Sequence, residues 1–145
     1  MKTFKLISKI ALGLVLFGFF QPVACDQSGF ELAESLMEMG ETNYTISAIG
    51  LYITFFAAVI SILITLILLI TRKDICSSKI NKIDFALLLA SIVGGLITFF
   101  FVISEFEFDF IDYGFYIIIS GWILSIIFSC FAKKWFLVNP QNKYG

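Results

Sequence analysis

The sequence predicts an all-α integral membrane protein, a bundle of three transmembrane helices to which a signal-like N-terminal segment can add a fourth. Composition is the first observation behind this fold class. The chain of 145 residues is 59% hydrophobic and 14% charged, whereas soluble domains are roughly 45–50% apolar and about 25% charged. The second observation is that three long stretches carry no charge at all. Lipid must therefore be the solvent for much of this domain-sized chain.

Residues 1–25 look like an export signal. The segment begins with a positively charged region that contains Lys2, Lys5 and Lys9. An apolar run of 11 residues follows at 10–20. This length is typical of the apolar core of a signal peptide and falls short of the roughly 20 residues that a spanning helix needs. The segment is therefore either a signal peptide or a short first transmembrane helix.

Three fates are open for this segment. It can stay as a membrane helix whose Lys5 and Lys9 side chains reach out to the membrane surface. A signal peptidase can cut after Ala24 or Cys25, or Cys25 can become the lipidated first residue of a lipoprotein. Ala24 suits lipidation, whereas Pro22, three positions before the cysteine, is a poor match for the aliphatic residue preferred there. We favour retention of the helix.

Residues 26–45 form an acidic outer segment without Lys or Arg. Ser28 and Glu31 have the spacing of a capping box, and Gly40 lies where a helix would stop. We therefore predict a short amphipathic helix, which either docks a partner or ligand or rests on its own bundle, and we favour the second interpretation. Its apolar face would hold Phe30, Ala33 and Met37, and its acidic face would hold Glu31, Glu34 and Glu38.

The membrane domain comprises residues 46–145, with helices predicted at about 46–71, 85–104 and 113–132. The first of these stretches contains 26 residues without a charge, enough to cross about 30 Å of hydrocarbon with some tilt. A basic inner loop at 72–84 and an acidic outer loop at 105–112 connect the three helices. An inner tail at 133–145 ends the chain.

The charges alternate along the chain in a way that predicts orientation. All ten Lys and Arg residues lie in the N-terminus, the 72–84 loop or the tail. Nine of the eleven acidic residues lie in the two outer segments. Because loops rich in Lys and Arg stay in the cytoplasm, we expect both termini to be cytoplasmic if the first segment is retained. The secretory-type start favours a bacterial inner membrane, with a eukaryotic secretory membrane as the second choice.

Small residues follow one face of each predicted span. Helices in lipid associate by close packing of such residues, and we favour this use of the three faces. The alternative is that their hydroxyl groups line a pore. The positions are Ser47, Gly50, Thr54, Ala57 and Ser61 in the first span, Ala90, Gly94 and Thr98 in the second, and Gly121, Ser125 and Ser129 in the third.

The acidic outer loop alternates carboxylates with phenylalanines. An extended chain would place the acids in water and the rings among the lipid headgroups. Weak Ca²⁺ binding is an alternative, but the loop lacks the ligand spacing of a calcium loop, so we favour solvated acids. Together with the three glutamates of the predicted helix, these acids form a possible outer interaction surface: Glu105, Glu107, Asp109 and Asp112.

Several classes of site find no support in the sequence. The chain has no His, which excludes catalysis and metal binding that depend on imidazole. Its cysteines, Cys25, Cys76 and Cys130, are too few and too scattered for a zinc site. The predicted spans contain no ionisable residue, although such residues usually mark ion pathways and coupled transporters. We therefore expect no catalytic residue, no metal, no cofactor and no nucleic-acid partner.

Three functional hypotheses follow. The favoured one is a non-enzymatic accessory, scaffold or assembly subunit that contacts the lipid bilayer and either another membrane protein or further copies of itself. Its contact surfaces would be residues 26–45 and the inner loop 72–83. The second hypothesis is a homo-oligomeric small pore or holin-like channel. The third, which we favour least, is a lipid-handling enzyme or transporter that uses the outer carboxylates at 105–112.

Overall fold

The computed structural model describes residues 2–75, 77–106 and 108–138, with only the backbone described at 108 and 133–138. It confirms a mainly α-helical bundle. Four long helices of the described residues are apolar enough to cross a membrane, the last of them over its residues Tyr113–Ala132. The helices are α1 (Lys2–Phe20), α2 (Gly29–Glu38), α3 (Thr42–Ile70), α4 (Ser78–Phe106) and α5 (Tyr113–Val138), with a hairpin of β1 (Pro22–Ala24) and β2 (Gln27–Ser28) and a 3-10 turn at Phe108–Phe110.

The helices extend beyond the apolar stretches that predicted them. Hydropathy marks only the segment that fits the hydrocarbon, whereas backbone hydrogen bonding continues into polar residues. The N-terminus of α4 shows how this happens, because Ser77 caps it: the Ile80 amide donates to Ser77 Oγ at 3.4 Å, and the Asn81 amide donates to the Ser77 carbonyl at 3.0 Å. Half of the predicted loop at 72–84 is therefore helix, and Asp84 lies inside α4.

The contact between α3 and α4 is a close approach of two backbones. A side chain at Gly50 would place its Cβ 2.6 Å from the Gly94 carbonyl oxygen. The Thr54 hydroxyl donates to the Ser91 carbonyl at 3.1 Å, and the Ser91 hydroxyl donates back to the Thr54 carbonyl at 3.1 Å. The Thr98 hydroxyl donates to the carbonyl of Ser47 at 2.7 Å. Close packing and side-chain to backbone hydrogen bonds between helices are the two interactions that remain strong in lipid.

A second close contact joins α1 to α5. A Cβ at Gly18 would lie 2.7 Å from the Gly114 carbonyl oxygen, and a Cβ at Gly121 would lie 2.9 Å from the carbonyl of Ala11. α1 also contacts α3. The signal-like segment is thus packed as a member of the bundle.

A small cap covers one end of the bundle, which we call the acidic end. The hairpin turns at Cys25 and Asp26, which have φ angles of 53° and 59°, as a two-residue turn between right-twisted strands requires. Ala24 forms a β-bridge with Ile111 of the acidic loop at 105–112. The Asp112 amide of the same loop donates to the Val23 carbonyl at 2.9 Å. The two outer segments therefore form one unit, which the sequence did not reveal.

Helix α2 completes the cap and begins with the predicted capping box of Ser28 and Glu31. The expected apolar face was partly wrong. Leu32, Ala33 and Leu36 are buried, whereas Met37 is 47% exposed. The helix is rotated so that Leu32, Ala33 and Leu36 face the bundle and Met37 lies at the edge of the buried face. Phe30 is held by rings of α1 and α3, with its centroid 4.9 Å from that of Phe19 and 4.8 Å from that of Phe55.

The close approach of α3 and α4 predicts a strong effect of one methyl group. Gly50→Ala should destabilise the protein by about 1–3 kcal/mol, the range for overpacking a well-packed contact, because the new Cβ meets the backbone of Gly94. Gly13→Ala is the matched control, since a Cβ at Gly13 meets nothing within 4 Å. Reversible unfolding in mixed micelles measures both. Equal stability of the two variants would contradict the close approach.

Candidate functional site

Three charged side chains lie inside the bundle near the end opposite the cap, which we call the basic end. Lys5 Nζ lies 3.1 Å from Asp84 Oδ2, and Lys9 Nζ lies 2.9 Å from Asp84 Oδ1. The three side chains are between 9% and 11% exposed. One carboxylate of α4 thus pairs with two ammonium groups of α1.

Polar groups from α3, from α4 and from the loop before α4 complete this cluster. Lys9 donates to Ser61 Oγ at 2.5 Å, and Ser61 Oγ lies 3.3 Å from Asp84 Oδ1. Lys5 donates to the amide oxygen of Asn81 at 2.7 Å and to the carbonyl of Ile75. The Ile75 side chain is 1% exposed, so this loop folds back over the end of the bundle and brings its backbone to Lys5.

The placement of the two lysines differs from the expectation that their side chains extend outward. The ammonium groups of Lys5 and Lys9 point between the helices, toward Asp84. Their spacing of four residues puts them on one helix face, and Asp84 draws that face inward because an ion pair in low dielectric is far better than an unpaired charge. The predicted span at 85–104 itself holds no ionisable residue, but α4 begins at Ser78 and therefore includes Asp84, the residue immediately before that span. The lysine spacing was visible in the sequence, but its partner was not.

A cavity of about 580 Å³ opens beside the charged cluster. Its polar lining comes from the cluster and from hydroxyl groups of α1 and α5. Ser8 Oγ lies 2.9 Å from both Ser125 Oγ and Ser129 Oγ and donates to the Ser125 carbonyl at 3.0 Å. The lining consists of Lys5, Ser8, Lys9, Leu12, Ser78, Asn81, Lys82, Asp84, Phe85, Leu88, Ser125, Ser129 and Ala132.

The charges that line this cavity do not balance. Its lining includes three lysines, Lys5, Lys9 and Lys82, and one acidic residue, Asp84. The positive end of the α4 dipole lies at Ser78 and adds to this excess. The arrangement can hold an anion, and among the described residues no group of three His, Cys, Asp or Glu side chains is placed to hold a metal ion.

The predicted small-residue faces lie mostly at helix contacts. In the first span, all five positions are buried. Ala90 is partly buried, Gly94, Thr98, Gly121 and Ser125 are buried, and Ser129 is exposed at the cavity. The five buried positions of the first span are Ser47, Gly50, Thr54, Ala57 and Ser61.

The predicted outer acids are dispersed around the cap. Glu31, Glu34 and Glu38 line a shallow hollow with Asp26, while Glu105 and Asp109 are exposed elsewhere. Asp112 accepts a hydrogen bond from the Asp26 amide at 2.7 Å. Glu107 lies outside the described residues. The structure therefore does not gather the four acids of the second outer loop into one site.

Ala24 and Cys25, the predicted cleavage or lipidation positions, lie in the hairpin. Ala24 is 1% exposed, and the Cys25 amide donates to the Phe110 carbonyl at 2.8 Å. Partial burial raises the pKa of the Cys25 thiol, and the nearby carboxylates of Asp112 and Asp26 raise this pKa further. The thiol therefore stays protonated and weakly nucleophilic at neutral pH.

Glu31 shows the opposite shift for a local reason. Hydrogen bonds from Ser28 to its carboxylate favour the charged form and lower the pKa of Glu31. The capping box is thus complete above the ordinary pKa of a glutamate and is lost as the pH falls through the lowered value.

Comparisons of this chain with protein-family models, with curated proteins and with solved structures find no match.

The buried ion pairs predict that removal of their shared carboxylate causes a large loss of stability. Asp84→Asn should destabilise the protein by about 3–5 kcal/mol, because two buried ammonium groups then lose their counter-charge. Asp109→Asn, at an exposed position, should leave stability within error. Unfolding in mixed micelles measures both. Full stability of Asp84→Asn would show that the pairing does not hold α1, whereas recovery in the triple variant Lys5→Met, Lys9→Met, Asp84→Asn would support it.

The environment of Cys25 predicts that its thiol is alkylated slowly and that the alkylation rate depends on the charge of Asp112. Alkylation at pH 8 should be slower than that of a free cysteine, since the thiolate reacts and the raised pKa reduces its fraction. Asp112→Asn removes a negative charge but keeps an oxygen that can accept the Asp26 amide, so alkylation should become faster. Mass spectrometry of the labelled peptide gives the rates. An unchanged rate would contradict the electrostatic cause.

Proposed function

We propose that this chain is a small multi-pass membrane protein that works as a non-enzymatic accessory, scaffold or assembly subunit. The observation that carries the proposal is that polar side chains within the helices form hydrogen bonds to neighbouring helices. The hydroxyls of Thr54, Ser91 and Thr98 and the indole of Trp122, which donates to Ser91 Oγ at 3.0 Å, join one helix to another. Groups engaged in this way stabilise a bundle and are unsuited to attack a substrate.

Retention of the first segment is part of this proposal. Without α1, Asp84 would lose both of its cationic partners, and an unpaired carboxylate at membrane depth is unfavourable. Gly114 and Gly121 would likewise lose the backbone that they approach. Loss of α1 would therefore expose the surfaces of α4 and α5 that α1 now covers.

The proposed orientation follows from the distribution of Lys and Arg. The basic end would face the cytoplasm with both termini, and the acidic cap would lie outside. A bacterial inner membrane is the proposed location. The alternation of charge along the chain supports this orientation.

The acidic cap is the proposed contact surface for a partner. Its backbone is held by the hairpin and by pairing with 110–112, and its shallow hollow of about 360 Å³ is lined by four carboxylates and two polar residues. A preorganised surface loses little entropy on binding. Its charge favours a partner with basic residues. The inner loop at 72–83 is the second proposed contact.

A pore receives less support from the contacts. The hydroxyls of Thr54 and Ser61, which would line such a pore, are buried within a single chain and bonded to neighbouring helices. Ion flux through liposomes that is altered by Thr54→Leu would favour the pore instead.

Native mass spectrometry of the protein extracted from its own host in mild detergent tests the proposal. We expect a chain near 16.3 kDa, which means that α1 is retained, in a complex with a different membrane protein. Glu34→Lys with Glu38→Lys should abolish the complex, because they reverse the charge of the exposed face of α2.

The matched control reverses two exposed acids away from that face, Glu41→Lys with Glu105→Lys, and should keep the complex. A homo-oligomer without a partner would favour the pore, and turnover of a substrate by the purified protein alone would contradict a non-enzymatic role.

A further inference from the structure

The cavity at the basic end has an excess of positive charge inside a membrane-embedded bundle. Lys5 and Lys9 share Asp84, and their side chains are about nine-tenths buried. A buried charge is strongly unfavourable unless a counter-charge lies beside it. One carboxylate offsets only one of the two buried ammonium groups, so a bound anion would complete the balance.

The donors that face this space suit an oxyanion. Lys82 lines the mouth, and the hydroxyls of Ser8, Ser125 and Ser129 lie together on one wall. Ammonium groups are donors that phosphate oxygens accept from, and bonds between charged partners are the stronger ones. The three hydroxyls already bond to one another and to the Ser125 carbonyl, and they make this wall polar. The amide ends of α4 at Ser78 add a favourable potential for negative charge.

The lining also includes apolar residues from α1, α4 and α5. Leu12 and Leu88 form its deeper walls, and Phe85 at its edge is 67% exposed. Toward the acidic end, α4 and α5 are in contact, with the rings of Phe99 and Phe115 stacked at 4.6 Å. Toward the basic end, the cavity lies between the two helices, so the acyl chain of a lipid can pass between them into the surrounding bilayer.

The charged groups lie near one end of the bundle. Asp84 lies six residues after Ser78, about 9 Å along the helix from its first residue. Basic pockets between transmembrane helices on the cytoplasmic side hold anionic lipid headgroups, and the proposed orientation puts the basic end on that side.

We propose that this cavity binds the phosphate of an anionic membrane lipid, with Lys5, Lys9 and Lys82 as its cationic partners and an acyl chain that leaves between α4 and α5 past Phe85. Free phosphate has the same oxyanion chemistry but would not use the apolar walls. The proposal stands apart from the partner at the acidic cap, because the two surfaces lie at opposite ends of the bundle.

The test titrates the delipidated full-length protein with three probes, phosphatidylglycerol, phosphatidylcholine and inorganic phosphate. Native mass spectrometry measures bound lipid, and thermal unfolding measures protection. We expect phosphatidylglycerol to bind about tenfold more tightly than phosphatidylcholine, the scale of one good ionic contact, and inorganic phosphate to give no protection.

Two variants test the site without breaking the buried pairs. Lys82→Gln should weaken phosphatidylglycerol binding about tenfold, whereas Lys79→Gln, an exposed lysine of α4 outside the cavity lining, should not. Ala132→Leu should weaken binding by filling the cavity, whereas Ala86→Leu, exposed on α4 and outside the lining, should not. All four variants should unfold like the parent protein when no lipid is present.

Each remaining outcome overturns the proposal. Equal binding of both lipids would mean that the apolar surface, rather than the charge, attracts them. Protection by inorganic phosphate alone would identify a free anion as the occupant. Binding of none of the three probes, or equal effects of Lys82→Gln and Lys79→Gln, would reduce the cluster to a structural ion pair.

Discussion

The pairing of Lys5 and Lys9 with Asp84 is the interaction on which the arrangement of the bundle depends. In a low-dielectric interior, an ammonium group without a counter-charge is far more unfavourable than one beside a carboxylate. The lysine face of α1 must therefore turn toward α4. Ser61 joins the same cluster from α3, so one set of polar contacts orients three of the four long helices.

Close packing of small residues then holds together the helices that the charged cluster orients. Gly50 meets Gly94 between α3 and α4, and Gly121 meets Ala11 between α5 and α1. Lipid offers no hydrophobic drive for helix association, so these contacts must supply dispersion energy and hydrogen bonds. The bundle is thus built from two tight helix pairs that the charged cluster links.

The two ends of the bundle have opposite properties. At the acidic end, the hairpin, the bridge between Ala24 and Ile111 and the rings around Phe30 close the structure. At the basic end, α4 and α5 leave a cavity with excess positive charge. A preorganised acidic surface suits a protein partner, and an open cationic cavity suits an anionic lipid. Both roles are compatible with a small protein that organises its surroundings in a membrane.

The sequence by itself determined the membrane class, the apolar spans, the capping box of Ser28 and Glu31 and the small-residue faces, because these depend on composition and on spacing within one helix. It named Ser61, Ser125 and Ser129 but could not place them beside a cavity. Only the tertiary structure decided that Lys5 meets Asp84, that Ala24 pairs with Ile111, and that Met37 turns outward. Those outcomes depend on which helices are neighbours and how each is rotated, and the periodicity of a single segment carries no information about either.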